Sequence, residues 1–114
     1  LGGYSARALK ELADEYIARG QKTEAIKVFR DVHYADPFDE TTHGKLGDIY
    51  IELDQPAAAL QEYLVGLALN PLDQATANYR IASAYKALNE PAQSMGYLMM
   101  NTRSHLVLFA TIRV

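Results

Sequence analysis

The sequence predicts an all-α protein built from stacked copies of one helical hairpin. Three observations indicate this class: a repeat of 34 residues, apolar residues at helical spacing, and prolines that recur at the ends of predicted helices. Shifting the chain by one repeat places Tyr16 on Tyr50 and Pro37 on Pro71. A repeat of this length indicates a copied supersecondary unit whose neighbours stack to bury a shared core, so the expected architecture is an α-solenoid.

The first repeat is predicted to contain two helices after a flexible lead-in over residues 1–5. From about Ala6 to Arg19 the apolar residues recur at helical spacing, and Gly20 then supplies a position that tolerates positive φ. A second helix is predicted from about Thr23 to Tyr34. It ends before Pro37, because the residue that precedes a proline is driven out of the α region.

The second repeat follows the same plan. Asp39 is the expected N-cap of a helix from Glu40 to Leu53. A further helix is predicted from Pro56 to about Leu69, with the proline in its first turn, where it is tolerated. Asp73 is then expected to cap the next helix, as Asp39 does one repeat earlier.

The third repeat is degenerate. Its motif arrives one residue late, and an extra residue in the turn or first helical turn near Gln74 is expected to absorb the shift. Its last helix is predicted from Pro91 to about Asn101, with Met95, Leu98 and Met99 on the inner face. The predicted division is a lead-in over 1–5, repeats over 6–39, 40–73 and 74–103, and an apolar tail over 104–114.

The tail from 104 to 114 has no acid and is rich in residues that favour a strand. Three interpretations stay open: a cap on the last helix, foreign sequence, or an adhesive segment that pairs with another copy.

Composition excludes several classes of function. The net charge is −3 and the pI about 5.5, which does not favour a general nucleic-acid surface. The chain has no cysteine, which excludes disulfides and thiolate metal sites. No apolar run approaches the ~20 residues of a membrane-spanning helix. The histidines His33, His43 and His105 share no metal-ligand spacing, so we expect no metal and no cofactor, and a packing role for His43.

The repeated motif resembles the tetratricopeptide repeat, a helix–turn–helix of 34 residues. The residues that carry the resemblance are Leu9, Leu12, Ala13, Tyr16, Ala25, Phe29 and Pro37, then His43, Leu46, Gly47, Tyr50, Ala59, Tyr63 and Pro71, then Asn78, Ile81, Ala82, Tyr85, Ser94 and Leu98. The small residues are expected where the two helices of a repeat cross closely, and the tyrosines where one repeat meets the next.

The resemblance implies a right-handed superhelix whose first helices line a concave groove for a peptide or a partner's helix. The groove-facing positions that it implies are Arg7, Lys10, Asp14 and Ile17 in the first repeat, Thr41, Lys45, Asp48 and Ile51 in the second, and Thr76, Tyr79, Arg80 and Ser83 in the third. Tyr79 is the candidate anchor for a ligand side chain.

One branch of the family holds the C-terminal carboxylate of heat-shock chaperones with a clamp of lysines, asparagines and an arginine. Lys10 and Arg80 occupy clamp-like positions in this sequence. Asp14, Lys45 and Thr76 depart from the clamp residues, and Asp14 would repel a carboxylate ligand. The sequence therefore disfavours this clamp.

Asp14 and Asp48 are expected to face the same groove from adjacent repeats. The favoured interpretation is two solvated acids neutralised by Lys10 and Lys45 at helical spacing, with a basic peptide or a cation as the alternatives. A catalytic pair is disfavoured, because no nucleophile or third group accompanies it.

The sequence therefore predicts a non-catalytic module that binds a protein or peptide partner, with no nucleic-acid binding and no membrane insertion. Two alternatives stay open: a structural segment that self-associates through its C-terminal end, and an accessory domain of a larger enzyme. The cellular location stays open.

Overall fold

The computed structural model describes residues 5–69 and 71–100, and that part of the chain contains helices and no strand. The helices are α1 (Ala6–Ala18), α2 (Lys22–Ala35), α3 (Glu40–Glu52), α4 (Pro56–Ala68) and α5 (Gln74–Ala87), and a sixth, α6, is described over residues 91–100. They form three consecutive helical hairpins. The predicted helices are confirmed, with ends that differ by one residue at most where both are described. None of these helices is long and apolar enough to cross a membrane.

The first helix of each hairpin begins at a side-chain cap. Ser5, Asp39 and Asp73 accept hydrogen bonds from backbone N–H groups in the first turns of α1, α3 and α5. The two aspartate caps confirm the prediction from the sequence. Pro56 lies in the first turn of α4, also as predicted, because a helix does not need that N–H group there.

Each hairpin turns through a residue with positive φ. These are Gly20 at 74°, Asp54 at 58° and Asn89 at 62°, and they occupy equivalent positions in the three repeats. Glycine, asparagine and aspartate are the residues that adopt this left-handed conformation most readily. The turn chemistry therefore accounts for the end of every first helix.

The extra residue of the third repeat lies within α5. This helix has 14 residues, whereas α1 and α3 each have 13. Asp39 accepts from the N–H of Thr41, two residues on, whereas Asp73 accepts from that of Thr76, three residues on. Ser5 of the first repeat also accepts from an N–H three residues on, so the caps do not locate the insertion more closely than within α5.

Two clusters of buried side chains run along the stack. Leu9, Ala13, Ala25, Ile26, Val28, Phe29, Val32, Leu46 and Ile49 form the first, and Ala59, Tyr63, Ile81 and Ala84 the second. Tyr50 is partly buried and packs against both clusters. It therefore joins the repeats, as the sequence predicts for this tyrosine.

Small residues allow the helices of a hairpin to cross closely. A Cβ added at Gly47 would lie 2.2–2.8 Å from ring atoms of Tyr63, which no real contact permits. Ala13 is fully buried and Ala82 is 2% exposed at the equivalent crossings. These positions confirm the predicted role of the small residues.

Predictions of burial were wrong at the two ends of the described stack. Leu12 is 39% exposed, whereas Leu46, its equivalent in the second repeat, is 4% exposed. Met95, Leu98 and Met99 on α6, predicted to face inward, are 39–57% exposed. The reason is physical: these positions bury their side chains against a neighbouring repeat, and no described helix lies beyond either end. The predicted tail over 104–114 lies outside the described residues.

Candidate functional site

Two ion pairs connect the first helices of neighbouring repeats. Lys45 Nζ on α3 donates to Asp14 Oδ1 on α1 at 2.8 Å. Arg80 Nη2 on α5 donates to Asp48 Oδ2 on α3 at 3.0 Å. These four side chains, all predicted as groove-facing, therefore lie along one face that α1, α3 and α5 share.

The partners of the two acids differ from those expected from the sequence. Lys10 and Lys45 were predicted to neutralise Asp14 and Asp48 at helical spacing, but each acid pairs with a cation from the following repeat. The ammonium of Lys10 is instead paired with Asp39 at the start of α3, and Lys45 reaches back to Asp14 in the preceding repeat. Such contacts depend on the angle between neighbouring repeats, and the spacing of residues along one helix carries no information on that angle.

Asp48 also accepts a hydrogen bond from the hydroxyl of Tyr63, at 2.5 Å. Burial of the Tyr63 ring and its hydrogen bond to Asp48 both raise the pKa of this phenol. Asp48 thus receives donors from α4 and α5 together, and it holds the second hairpin to the third.

Lys10 forms a different contact, with the cap of α3. Its ammonium pairs with Asp39, whose side chain is only 9% exposed and which also accepts from the hydroxyls of Thr41 and Thr42. Burial raises the pKa of Asp39, but the hydrogen bonds from Lys10, Thr41 and Thr42 outweigh it and hold this pKa at about 2. Of the predicted groove residues, Lys10 and Thr41 are therefore used in the connection between the first two repeats.

A pocket of about 180 Å³ opens between the second and third repeats. Its lining comes from α3, α4, α5 and the segment that connects α4 to α5, and consists of Glu40, Thr41, Gly44, Tyr63, Gly66, Leu67, Pro71, Asp73, Thr76, Ala77 and Arg80. Three of these residues, Thr41, Thr76 and Arg80, were predicted as groove-facing. The hydroxyl of Thr76 donates to Asp73 at 2.5 Å, and this bond and the Thr76 N–H lower the pKa of Asp73.

The sequence prediction missed the other eight lining residues, of which Glu40, Gly44, Gly66 and Asp73 determine the charge and the space of the pocket. Asp73 was predicted only as a helix cap. The two glycines were detectable by comparison of the repeats, because they replace Lys10 and Val32 of the first repeat at the same offset. Where one repeat has a large side chain and the next has glycine, the second repeat leaves space that the side chain fills in the first.

The remaining predicted residues are exposed. Tyr79 is 62% exposed, Ile17 and Ile51 are 36% exposed each, and Arg7 pairs with Glu11 one turn along α1 at 3.6 Å. Tyr79 and Ser83 line a second, wider hollow of about 460 Å³ between α5 and α6. The exposed residues among the predicted groove positions thus include both apolar and polar side chains.

His43 has the packing role that the sequence predicts. It is 4% exposed, its Nδ1 lies 2.8 Å from Glu62 Oε2, and its ring meets His33 edge-on at 4.9 Å between centroids. Within residues 5–69 and 71–100, no three His, Cys, Asp or Glu side chains are grouped as metal ligands would be. His105 lies outside that part of the chain.

Solved structures of tetratricopeptide-repeat (TPR) proteins share this architecture. The first TPR of Spaghetti (RPAP3), solved with the HSP90 peptide SRMEEVD, matches with a TM-score of 0.75 and 26% identity, over 82% of this chain and 73% of that chain. MamA matches with a TM-score of 0.83 and 18% identity, over 93% of this chain and 61% of MamA, so the chain spans less than two thirds of that structure. The type III secretion translocator chaperone SycD of Yersinia enterocolitica matches with a TM-score of 0.74 and 21% identity, over 82% and 69%.

No sequence model of a protein family matches the chain, and comparison with curated proteins gives no significant match. Three observations nevertheless indicate the same fold: the helical hairpins, the small residues at their crossings and the structural matches. The chain has the fold of a tetratricopeptide-repeat α-solenoid.

Proposed function

We propose that this chain is a non-catalytic protein-interaction module, which binds a peptide or helix of a partner protein on the concave face formed by α1, α3 and α5. The observation that carries the proposal is the exposure of three apolar side chains at groove positions, one on each of these helices: Ile17, Ile51 and Tyr79. Exposed apolar side chains rimmed by polar groups are typical of interaction surfaces.

The polar groups of this face support the same function. Asp14 and Asp48 each accept a hydrogen bond from a cation of the next repeat, an arrangement that suits positioning of helices better than proton transfer. The first TPR of Spaghetti (RPAP3), which has the same fold, was solved with a bound peptide. SycD was likewise solved with a peptide of the translocator YopD. Peptide binding is therefore compatible with this architecture.

The test uses a phage-displayed library of random peptides, selected against the full chain. A selected peptide is synthesised and its contact surface mapped by perturbation of amide resonances in NMR spectra. We expect the perturbations to concentrate on α1, α3 and α5. Tyr79→Ser should weaken binding roughly tenfold or more, because an exposed aromatic anchor carries a large share of the affinity.

Tyr34→Ser is the matched control. Tyr34 is 92% exposed on α2, a second helix of a hairpin, so its loss should leave the affinity unchanged. The proposal fails if selection yields no binding peptide, if the perturbed residues lie on α2 and α4, or if both tyrosine variants weaken binding equally.

A second candidate function is self-association through α6. Four apolar side chains of this helix are 39–57% exposed: Met95, Leu98, Met99 and Met100. Sedimentation velocity over a range of concentrations tests this function, with Leu98→Lys as the disrupting variant and Tyr34→Lys as the control for the added charge. A monomer at every concentration excludes self-association. A dimer that only Leu98→Lys dissociates supports it.

A further inference from the structure

Three equivalent positions can be compared in the two junctions between repeats, and two of them hold large side chains in one junction and glycines in the other. The first junction, between repeats one and two, contains Lys10, Val32 and Asp39. The second junction, between repeats two and three, has Gly44, Gly66 and Asp73 at the same positions, each one repeat later. Of the three positions, only the aspartate is the same in both junctions.

The first junction is filled by the chain itself. The Lys10 side chain crosses from α1 and pairs with the carboxyl of Asp39, and Val32 is fully buried. The stem of a lysine is well suited to such a site, since its methylenes cover apolar surface while its ammonium reaches the acid. The first junction therefore shows which side chain this geometry accepts.

The second junction is open. Gly44 and Gly66 supply no side chains and both line the pocket of about 180 Å³, with the Arg80 guanidinium on the Gly44 side, where Nη1 lies 2.8 Å from the position of a Cβ. A cavity of ~150 Å³ holds a benzene molecule, so this volume accommodates the side chain of one residue. The pocket has apolar walls for methylene groups, from Leu67, Pro71 and Ala77.

The charges of the second junction favour a cation. Glu40 and Asp73 contribute two carboxyls, and within the described residues neither has an ion pair with a lysine or arginine. Arg80 also lines the pocket, and its charge is one of the smaller causes that lower the pKa of Asp73, but its hydrogen bond goes to Asp48. Lys45 is the equivalent of Arg80 in the first junction and is paired with Asp14 in the same way. The first junction thus contains the Lys10 ammonium as well as such a paired cation.

We propose that the pocket at the second junction receives a lysine side chain of the partner peptide, with its methylenes between Gly44 and Leu67 and its ammonium at Asp73, as Lys10 meets Asp39. This inference rests on the proposed function and makes it more specific: the ligand of the groove has a lysine anchor. The site selects for a basic side chain, in contrast to a clamp for a terminal carboxylate.

The decisive variant is Gly44→Lys, which transplants Lys10 into the second junction and fills the pocket from within. A Cβ at Gly44 would lie 2.8 Å from Arg80 Nη1, the far end of a flexible side chain that can move. Gly96→Lys is the matched control: it adds the same charge to a helix, at a site with no heavy atom within 4 Å. Circular dichroism checks that both variants fold.

The probe is a peptide selected from the random library against the full chain, together with its copy in which the conserved lysine is replaced by norleucine. We expect one lysine to be enriched in the selected sequences, and its replacement to weaken binding roughly tenfold or more. Gly44→Lys should cause a similar loss and Gly96→Lys none. Asp73→Asn, which keeps a residue competent to cap α5, should reproduce the loss without filling the pocket.

The outcomes separate the two proposals. Selected peptides that map to α1, α3 and α5 but carry arginine or no basic residue overturn the lysine pocket and leave the interaction module standing. Equal affinity for the Gly44→Lys and Gly96→Lys variants also overturns the pocket. Selection that yields no peptide for this face overturns the proposed function, and the lysine pocket with it.

Discussion

At the first junction Lys10 reaches across to Asp39 and Val32 is buried, whereas at the second junction Gly44 and Gly66 stand at the equivalent positions and a pocket opens. The helices around the two junctions begin and end at nearly the same repeat positions. The difference therefore comes from the side chains and not from the backbone plan. In a repeat protein, the same backbone plan can give one junction that is filled by side chains and a next junction that contains a pocket.

The largest effect on stability should follow from Val32→Gly, which places in the first junction the glycine that the second junction has at Gly66. Val32 is fully buried, so the variant loses about 2 kcal/mol of apolar burial. A glycine within α2 costs about a further 1 kcal/mol. We expect the free energy of unfolding to fall by about 3 kcal/mol, measured by urea denaturation.

Arg30→Gly is the control for the glycine alone, because Arg30 is exposed on the same helix. It should cost only about 1 kcal/mol. Equal losses for the two variants would contradict the account of the first junction.

A smaller effect is expected from Lys10→Met, which keeps an apolar side chain and removes the ammonium. It should lower stability near neutral pH by about 1 kcal/mol, since the pair is charged but partly exposed to solvent. The pKa of Asp39 is about 2, below its ordinary value of 3.8, so this carboxyl adds stability above pH 4. That stability is lost as the pH falls from about 4 to 2.

The Lys10→Met variant should lose less stability than the original chain over this pH range, because removal of the ammonium raises the pKa of Asp39. Denaturation curves at a series of pH values measure the difference. Lys27→Met is the control, since Lys27 forms only an exposed pair with Glu24 at 4.0 Å. Parallel pH profiles for the chain and Lys10→Met would exclude the ion pair as a source of stability.

The smallest effect should come from Gly66→Ala in the second junction. A Cβ there would lie 3.5 Å from His43 Cβ and 3.8 Å from the carbonyl oxygen of Glu40, which are ordinary contacts. Alanine also favours the helix over glycine, so stability should rise by about 0.5–1 kcal/mol. Gly47→Ala should have the opposite sign, because its Cβ would overlap the ring of Tyr63. Thermal denaturation of both variants tests this contrast, and a destabilising Gly66→Ala would argue against an open junction.

The helices and the crossings between them could be predicted from the sequence, because they depend on local chemistry. Caps, prolines, left-handed turns and small residues each act within one hairpin. Gly47 and Asp39 are examples of positions whose roles were correct. The repeat period was enough to place them.

The contacts between repeats were harder to predict. The pairing of Asp14 with Lys45 depends on how the first helices stack, and the exposure of Leu12 reflects its position in the first repeat of the described stack. Neither property is encoded in the spacing along one helix. The pocket at the second junction is an intermediate case: its glycines are visible in the sequence, but the space between them follows only from the packing of α3, α4 and α5.

The difference between the two junctions is tested most directly by two conservative variants of the equivalent caps, Asp39→Asn and Asp73→Asn. Their affinity is measured for a lysine-containing peptide selected against the full chain. Asparagine still caps a helix, so each change removes mainly the charge. We expect Asp73→Asn to weaken peptide binding roughly tenfold and Asp39→Asn to leave it unchanged. Equal affinities, or a greater loss for Asp39→Asn, would contradict the division between a filled junction and an open one.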